Sequence, residues 1–254
     1  MINLLRSEWR KVITVKLGWG MLLGAMALAA LGVVAQIASN GVARSAALPL
    51  TSEATQKSVA ASASSAYLFA VVVGIIIITT EFRHFTSRPT FLIEPRRGLV
   101  IVAKILVAAL TGVIYGIVCA ALTAAIMIPW FAAKGITIGW INYGVLQSLI
   151  GDIIVIAIFA VVGIGIGVLV RNQIAAVIGT LVYLFVLEPL VNIVPVIQNA
   201  YPYLPGAAAA AITGATRGAG NSPLTALEGG LVLLGWGLFF AAAGWIFTIR
   251  RDIP

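Results

Sequence analysis

Charge is what this 254-residue chain has least of. Asp, Glu, Lys and Arg make up 9% of it, against 61% apolar residues, whereas soluble domains average about 25% charged residues. Too few ions are present to cover a water-facing surface, which excludes a soluble globular enzyme, a nucleic-acid-binding domain and a disordered chain. The mean hydropathy of +1.09 agrees. Cysteine is almost missing: Cys119 stands alone, so no intrachain disulfide and no cysteine-based zinc site can form. Its apolar setting suits a small buried hydrophobe. His84 is the single histidine, and no serine–histidine or multi-histidine constellation includes it. The phosphate-loop pattern Gly-x-x-x-x-Gly-Lys-Ser/Thr is absent too, so the chain encodes no nucleotide cradle. The expectation is a protein that is not an enzyme and holds no cofactor or metal of its own.

What is present is a series of long apolar runs. A bilayer core needs about 20 apolar residues per helix. Leu17 to Ile37 meets that without a charge, and Tyr67 to Thr80 extends backward through small residues to give a second span. Val100 to Ile128 is a third, with Lys104 near enough to its start to snorkel. Leu146 to Val170, Ile174 to about Val191, and Gly229 to Ile249 complete six. The predicted fold is therefore all-α, a single transmembrane domain over 1–254. Ser39 to Ser65, rich in Ala and Ser, reads as a solvated loop or an outward extension of the second helix. Between the fifth and sixth spans, the prolines and glycines of 195–228 rule out one continuous crossing and favour short re-entrant or interfacial pieces.

Lys and Arg set the orientation. With the N-terminus inside, cytoplasmic segments carry Arg6, Arg10, Lys11, Lys16, Arg83, Arg88, Arg96, Arg97, Lys104, Arg171, Arg250 and Arg251, leaving Arg44, Lys57, Lys134 and Arg217 outside. Both termini are expected in the cytoplasm. Trp19 and Trp245 then fall near the inner interface and Trp130 near the outer one. Ala27 and Ala29 would suit a signal-peptide cleavage site, but the apolar run continues to Ile37 and argues against one.

Two basic segments stand out. Over residues 2–16, Ile2, Leu5, Trp9, Val12 and Ile13 cluster on one helical face, with Asn3, Arg6, Arg10 and Thr14 opposite. Such a helix lies in the headgroup plane, with Arg6, Trp9, Arg10 and Lys11 as an interfacial anchor to membrane lipids. The second segment is the loop 81–98, Glu81-Phe82-Arg83-His84-Phe85-Thr86-Ser87-Arg88-Pro89-Thr90-Phe91-Leu92-Ile93-Glu94-Pro95-Arg96-Arg97-Gly98. Pro89 suits the opening of a short helix and Pro95 its end. Between them an apolar knob is ringed by arginines, as docking into a soluble partner requires. The competing reading is a topogenic loop whose apolar residues rest on lipid.

These blocks also carry a resemblance. Arg6-Ser7-Glu8-Trp9-Arg10-Lys11, then Glu81-Phe82-Arg83-His84 to Pro95-Arg96-Arg97 with Ala103-Lys104, then Arg171-Asn172-Gln173 with Ala175-Ala176 follow in order. Glu188-Pro189, Tyr203-Leu204-Pro205-Gly206 and the closing Arg250-Arg251-Asp252 complete the set. Together they resemble permease subunits of the ABC-2 family, especially actinobacterial ones, departing at Phe85, before the threonine, where that family often has glycine. The resemblance implies a six-span half of an exporter in a bacterial plasma membrane. It would pair with a second permease subunit, the same or a homologous chain, and sit on a cytoplasmic ABC ATPase that binds ATP and Mg2+. It makes 1–16 an elbow helix, 195–228 a segment of short outer re-entrant helices and 81–98 a coupling loop, with Arg83, Phe85, Arg88, Phe91, Leu92, Glu94, Arg96 and Arg97 in contact with the ATPase. No nucleic-acid partner is implied.

Two acids fall within spans. Asp152 reads either as a polar contact lining the export path or subunit interface, or as an interfacial acid that reaches water or is protonated. Glu188 lies about 25 Å along a helix from Arg171, as an outer gate or a structural cap for the re-entrant pieces. A proton-coupled secondary carrier using Asp152 and Glu188 is the alternative function. Gly20 and Gly24, Gly112 and Gly116, and Gly163 and Gly167 have the spacing that permits close helix packing. Packing within one subunit is the default, with a dimer face open mainly to the last pair.

Overall fold

A computed structural model describes residues 2–39, 49–83, 97–215 and 224–250. The described residues are helical, with no strand among them. The chain opens with α1 (Ile2–Thr14) and α2 (Lys16–Ser39), followed by α3 (Glu53–Ala60), a 3-10 stretch (Ala61–Ala66) and α4 (Tyr67–Arg83). Two long helices come next, α5 (Arg97–Ala133) and α6 (Val145–Val170). Then α7 (Gln173–Val182) runs through a π turn (Tyr183–Leu187) into α8 (Glu188–Ile193). A 3-10 turn (Gln198–Tyr203), α9 (Pro205–Thr213) and α10 (Ala226–Arg250) complete the order.

Six helical stretches are long and apolar enough to cross a membrane: Lys16–Ser39, Glu53–Thr80, Gly98–Ala133, Val145–Val170, Gln173–Ile193 and Ala226–Phe247. The chain is thus a multi-pass, all-helical membrane protein, as its hydropathy requires.

The core is organised around α6, which packs against α4, α5, α9 and α10. Lipid tails are as apolar as leucine, so association inside a membrane depends on how closely backbones approach. Glycine permits that approach here. A methyl added at Gly112 would lie 2.7 Å from Ala157 Cα, and one at Gly116 would lie 2.7 Å from Ile153 Cα. On the other flank, Gly74 of α4 faces the Ala160 carbonyl, and Gly163 of α6 faces the Val71 carbonyl. Gly167 meets Ile75 and Ile78 of the same helix. Gly163 and Gly167 are therefore spent on contacts within the chain, which removes them as a dimer face.

The second span decides between the two readings of its N-terminal flank. Residues 53–66 form no solvated loop: Val59, Ala60, Ala63, Ser64 and Ala66 are all buried, and the stretch extends the helical second span. Small side chains make this possible, because Gly32 of α2 packs directly on Ser62. Residues 40–48 lie outside the described set. At the same end of the bundle a second apolar cluster joins Val33, Ile37, Val59, Met127, Phe131 and Val145.

The α6–α7 turn explains the Arg171-Asn172-Gln173 block. Arg171 is the one non-glycine residue with positive φ among those described, at 55°, and its N–H closes α6 on Gly167 O at 2.9 Å. Asn172 then caps α7, its side chain accepting from Ala175 N–H at 3.1 Å. Further along, Pro189 cannot donate a backbone hydrogen bond. The preceding turn widens to π geometry, with Glu188 N–H bonded to Tyr183 O. Residues 195–228 include two short helices rather than a crossing, as their prolines predict.

Candidate functional site

At the basic end of the bundle, α1 is locked to α5 by charge. Glu8 is 2% exposed and Lys104 is 1% exposed. One carboxylate oxygen of Glu8 accepts from Lys104 Nζ at 2.5 Å, and the other from Lys11 Nζ at 2.5 Å. Burial alone pushes the Glu8 carboxyl upward; the adjacent Lys104 and Lys11 ammonium groups outweigh it and hold it below the usual glutamate range. Lys104 consequently does not snorkel. It turns inward because a buried carboxylate supplies the partner that the interface otherwise would.

The corner between α1 and α2 is closed by three further contacts. Trp19 Nε1 donates to Ile13 O at 3.0 Å, Tyr115 of α5 donates through its hydroxyl to Gly18 O, and Gly18 itself approaches the Val12 carbonyl. Arg6 and Arg10 stay exposed and, with Ser7, Lys11 and Thr14, line an open recess of about 420 Å³ on the outer face of α1. Trp9 is half-buried. The expected polar face is exposed at Arg6, Arg10 and Thr14, whereas Leu5, Trp9 and Val12 are only partly covered, Ile13 is exposed, and Glu8, a charged residue, faces inward.

Arg83 ends α4 and Arg97 begins α5; nothing is described of their side chains. The other coupling residues, Phe85, Arg88, Phe91, Leu92, Glu94 and Arg96, lie outside the described residues. Lys104 follows Arg97 by seven residues, about 10 Å along the helix. Gly98, at the same helix start, backs onto the Trp245 indole of α10.

No protein-family model matches this chain, and no curated protein is significantly similar to it. The site must therefore be judged on its own geometry.

The opposite end holds the two acids. Glu188 is 4% exposed, and its Oε1 accepts from Ala207 N–H at 2.7 Å. That N–H belongs to the first turn of α9, where backbone donors lack helical partners. Gly206 beside it leaves room for the carboxylate, because a Cβ there would come within 2.6 Å of Oε1. Of the two roles open to Glu188, this geometry supports the cap. Asp152 is entirely buried, so within this fold it is not an acid that reaches water. Neither of its oxygens has a hydrogen-bond partner.

Asp152 and Glu188 are not brought together by any described contact. Among the described residues no group of three or more His, Cys, Asp or Glu could hold a metal ion. Between α4, α6, α7 and α10 lies an apolar cavity of about 250 Å³, bordered by Val71, Phe159, Ala176, Tyr183, Trp236 and Phe240 among others.

Two functional-looking contacts escape a reading of the sequence. Glu8 passes for a surface acid in a basic helix, and only the spacing of its Lys11 partner hints otherwise. Gln56, fully buried, donates through its amide to Thr137 O at 3.1 Å and accepts from Gly139 N–H at 2.9 Å. It ties α3 to the 134–144 connection across more than eighty residues of sequence, a distance no local pattern reports.

Proposed function

We propose that this chain is the membrane-spanning permease subunit of an ATP-driven exporter of the ABC-2 type. In this reading it moves a hydrophobic or amphipathic substrate out of a bacterial cytoplasm, with both termini cytoplasmic. ATP and Mg2+ belong to a separate cytoplasmic ABC ATPase, and a second permease subunit, the same chain or a homologous one, completes the pathway.

The observation that carries the reading is the buried Glu8–Lys104 pair. It joins the amphipathic α1 to the first turns of α5, the helix that directly follows the arginine-ringed 81–98 loop. A push on that loop therefore reaches α5 and α1 together, and through the closed Gly18 corner it reaches α2. Nucleotide-driven closure of a docked ATPase would bias an inward–outward equilibrium along this route. The ordered sequence blocks and the lack of a phosphate loop in the chain support the division of labour. The apolar cavity beside α7 supports an apolar cargo.

The carrier alternative has less support. Glu188 is engaged as a helix cap, and no contact links it to Asp152.

The test is photo-crosslinking from Phe91 and Leu92, each replaced singly by a photoreactive phenylalanine in cells. Capture of a phosphate-loop ATPase, with loss of substrate-stimulated ATPase activity in Arg96→Glu, is the expected outcome. Capture of lipid alone would overturn the proposal.

A further inference from the structure

The most unusual group in the bundle is Asp152. It sits two turns inside the outer end of α6, wholly buried, with both carboxyl oxygens lacking a hydrogen-bond partner. Two turns beyond the Gly116–Ile153 contact, on α5, the hydroxyl of Thr123 is likewise buried without a partner. Cys119 lies on the same stretch of α5 and is also buried. The neighbouring Ser148 hydroxyl is directed to the Gly144 carbonyl of its own helix at 3.3 Å. An ionised carboxylate buried without donors or a counter-charge is strongly disfavoured.

Something must therefore neutralise it, and the surroundings select what. Divalent cations such as Ca2+ need six or more oxygen ligands, and among the described residues no group of three or more His, Cys, Asp or Glu could hold a metal ion. A substrate ammonium group needs space, and the apolar cavity is bordered by other residues. The cations on adjoining elements are engaged elsewhere: Lys104 with Glu8, and Lys57 of α3 with Glu53 at 2.7 Å. Among the described residues, the other ionisable groups on elements beside α6 are Cys119 and Tyr115 on α5, the latter bonded to Gly18 O, Tyr67 on α4, against Phe159, Tyr183 in the π turn, which borders the apolar cavity, and Glu228 on α10, held by Thr225. At the other end of the bundle, Glu81, Arg83 and Arg97 stand at the ends of α4 and α5, and Arg250 at the end of α10. Neither α7 nor α9 carries an ionisable residue.

We propose that Asp152 is a proton-binding site, loaded in this conformation, and that α9 is its cover. Gly151, its immediate neighbour, packs against Ile212 of α9, where a Cβ would come within 2.9 Å of Ile212 Cγ2 and 3.0 Å of its carbonyl oxygen. Withdrawal of α9 would admit water beside Asp152 and let the proton leave. The inference does not depend on the exporter reading, since it concerns a protonation state and not a partner.

The chain contains two aspartates, Asp152 and Asp252, so isotope editing isolates the site. The full chain carrying Asp252→Asn, made by cell-free synthesis with carboxyl-labelled aspartate and reconstituted in lipid, has one labelled carboxyl in its native setting. Infrared spectroscopy at pH 7 is expected to show the protonated-acid carbonyl band, and the Asp152→Asn, Asp252→Asn chain to lack it. A carboxylate band at pH 7 would overturn the proton site. With Ile212→Ala added to the labelled chain, the acid band is expected to convert to carboxylate at lower pH than without it. An unchanged conversion would overturn the role of α9.

Discussion

Glu8 and Lys104 stand 96 residues apart in the chain and meet at 2.5 Å in a site almost closed to water. Neither residue is exceptional in its own segment. Together they make a long-range ion pair that binds the amphipathic first helix to the body of the protein.

Breaking that pair is expected to be costly because the surviving partner stays buried. Glu8→Gln should destabilise the protein by about 3–5 kcal/mol, whereas the double change Glu8→Gln, Lys104→Met should recover most of the loss. Thermal unfolding in detergent, arranged as a double-mutant cycle, measures the difference. A simple sum of the two single effects would show that the charges do not interact.

The same pair predicts an acid response. Because the Glu8 carboxyl lies below its ordinary value of 4.5 when folded, its contribution is fully present above that value and fades as pH falls through the lowered one. The wild type should therefore lose stability below about pH 4.5 more steeply than the Glu8→Gln, Lys104→Met variant. Parallel pH profiles would contradict this.

Glycine contacts around α6 should divide into strict and tolerant. Gly112→Ala and Gly74→Ala place a methyl against backbone atoms and should each cost about 1–3 kcal/mol by overpacking. Gly20→Ala and Gly179→Ala meet nothing within 4 Å and should be neutral or slightly stabilising in a helix. Melting temperatures of the four variants provide the comparison.

The Glu188 cap is testable by hydrogen exchange. Glu188→Ala removes the acceptor for Ala207 N–H and should weaken the start of α9 by about 1 kcal/mol, in the range of other helix caps. Exchange at residues 206–208 should quicken several-fold. Glu188→Gln keeps a carbonyl oxygen and should change it less.

Gln56 ties α3 to the 134–144 connection with both ends of its amide. Gln56→Leu leaves the Gly139 N–H and the Thr137 carbonyl without this partner and should cost about 1–3 kcal/mol. Faster proteolysis within 134–144, with the rest of the chain still protected, is the expected readout.

Much of this architecture was legible from residue order. Apolar runs of about 20 residues have few alternatives to spanning helices, and the prolines of 195–228 predict interruption because each removes a backbone donor. At the start of the second span the sequence left a choice between a solvated loop and a helical extension, because Ala and Ser are weakly hydrophobic and hydropathy decides little there; their small size is what lets the helices approach. The surroundings of Asp152 and Lys104 were hidden by a related limit. Position along a helix reports depth, not which neighbouring helix lies against a side chain.

The chain's composition and patterning by themselves determined that it is helical, that it has six crossings, that α1 is amphipathic and that it encodes no phosphate loop. Those properties are local or compositional, set by the transfer of side chains from water and by backbone hydrogen bonding within each segment. Tertiary structure alone decided that Glu8 finds Lys104, that Glu188 caps α9, that Gly163 faces α4 and that Asp152 finds no partner. Each depends on the distance between helices far apart in sequence, which is fixed only when their small-residue surfaces pack.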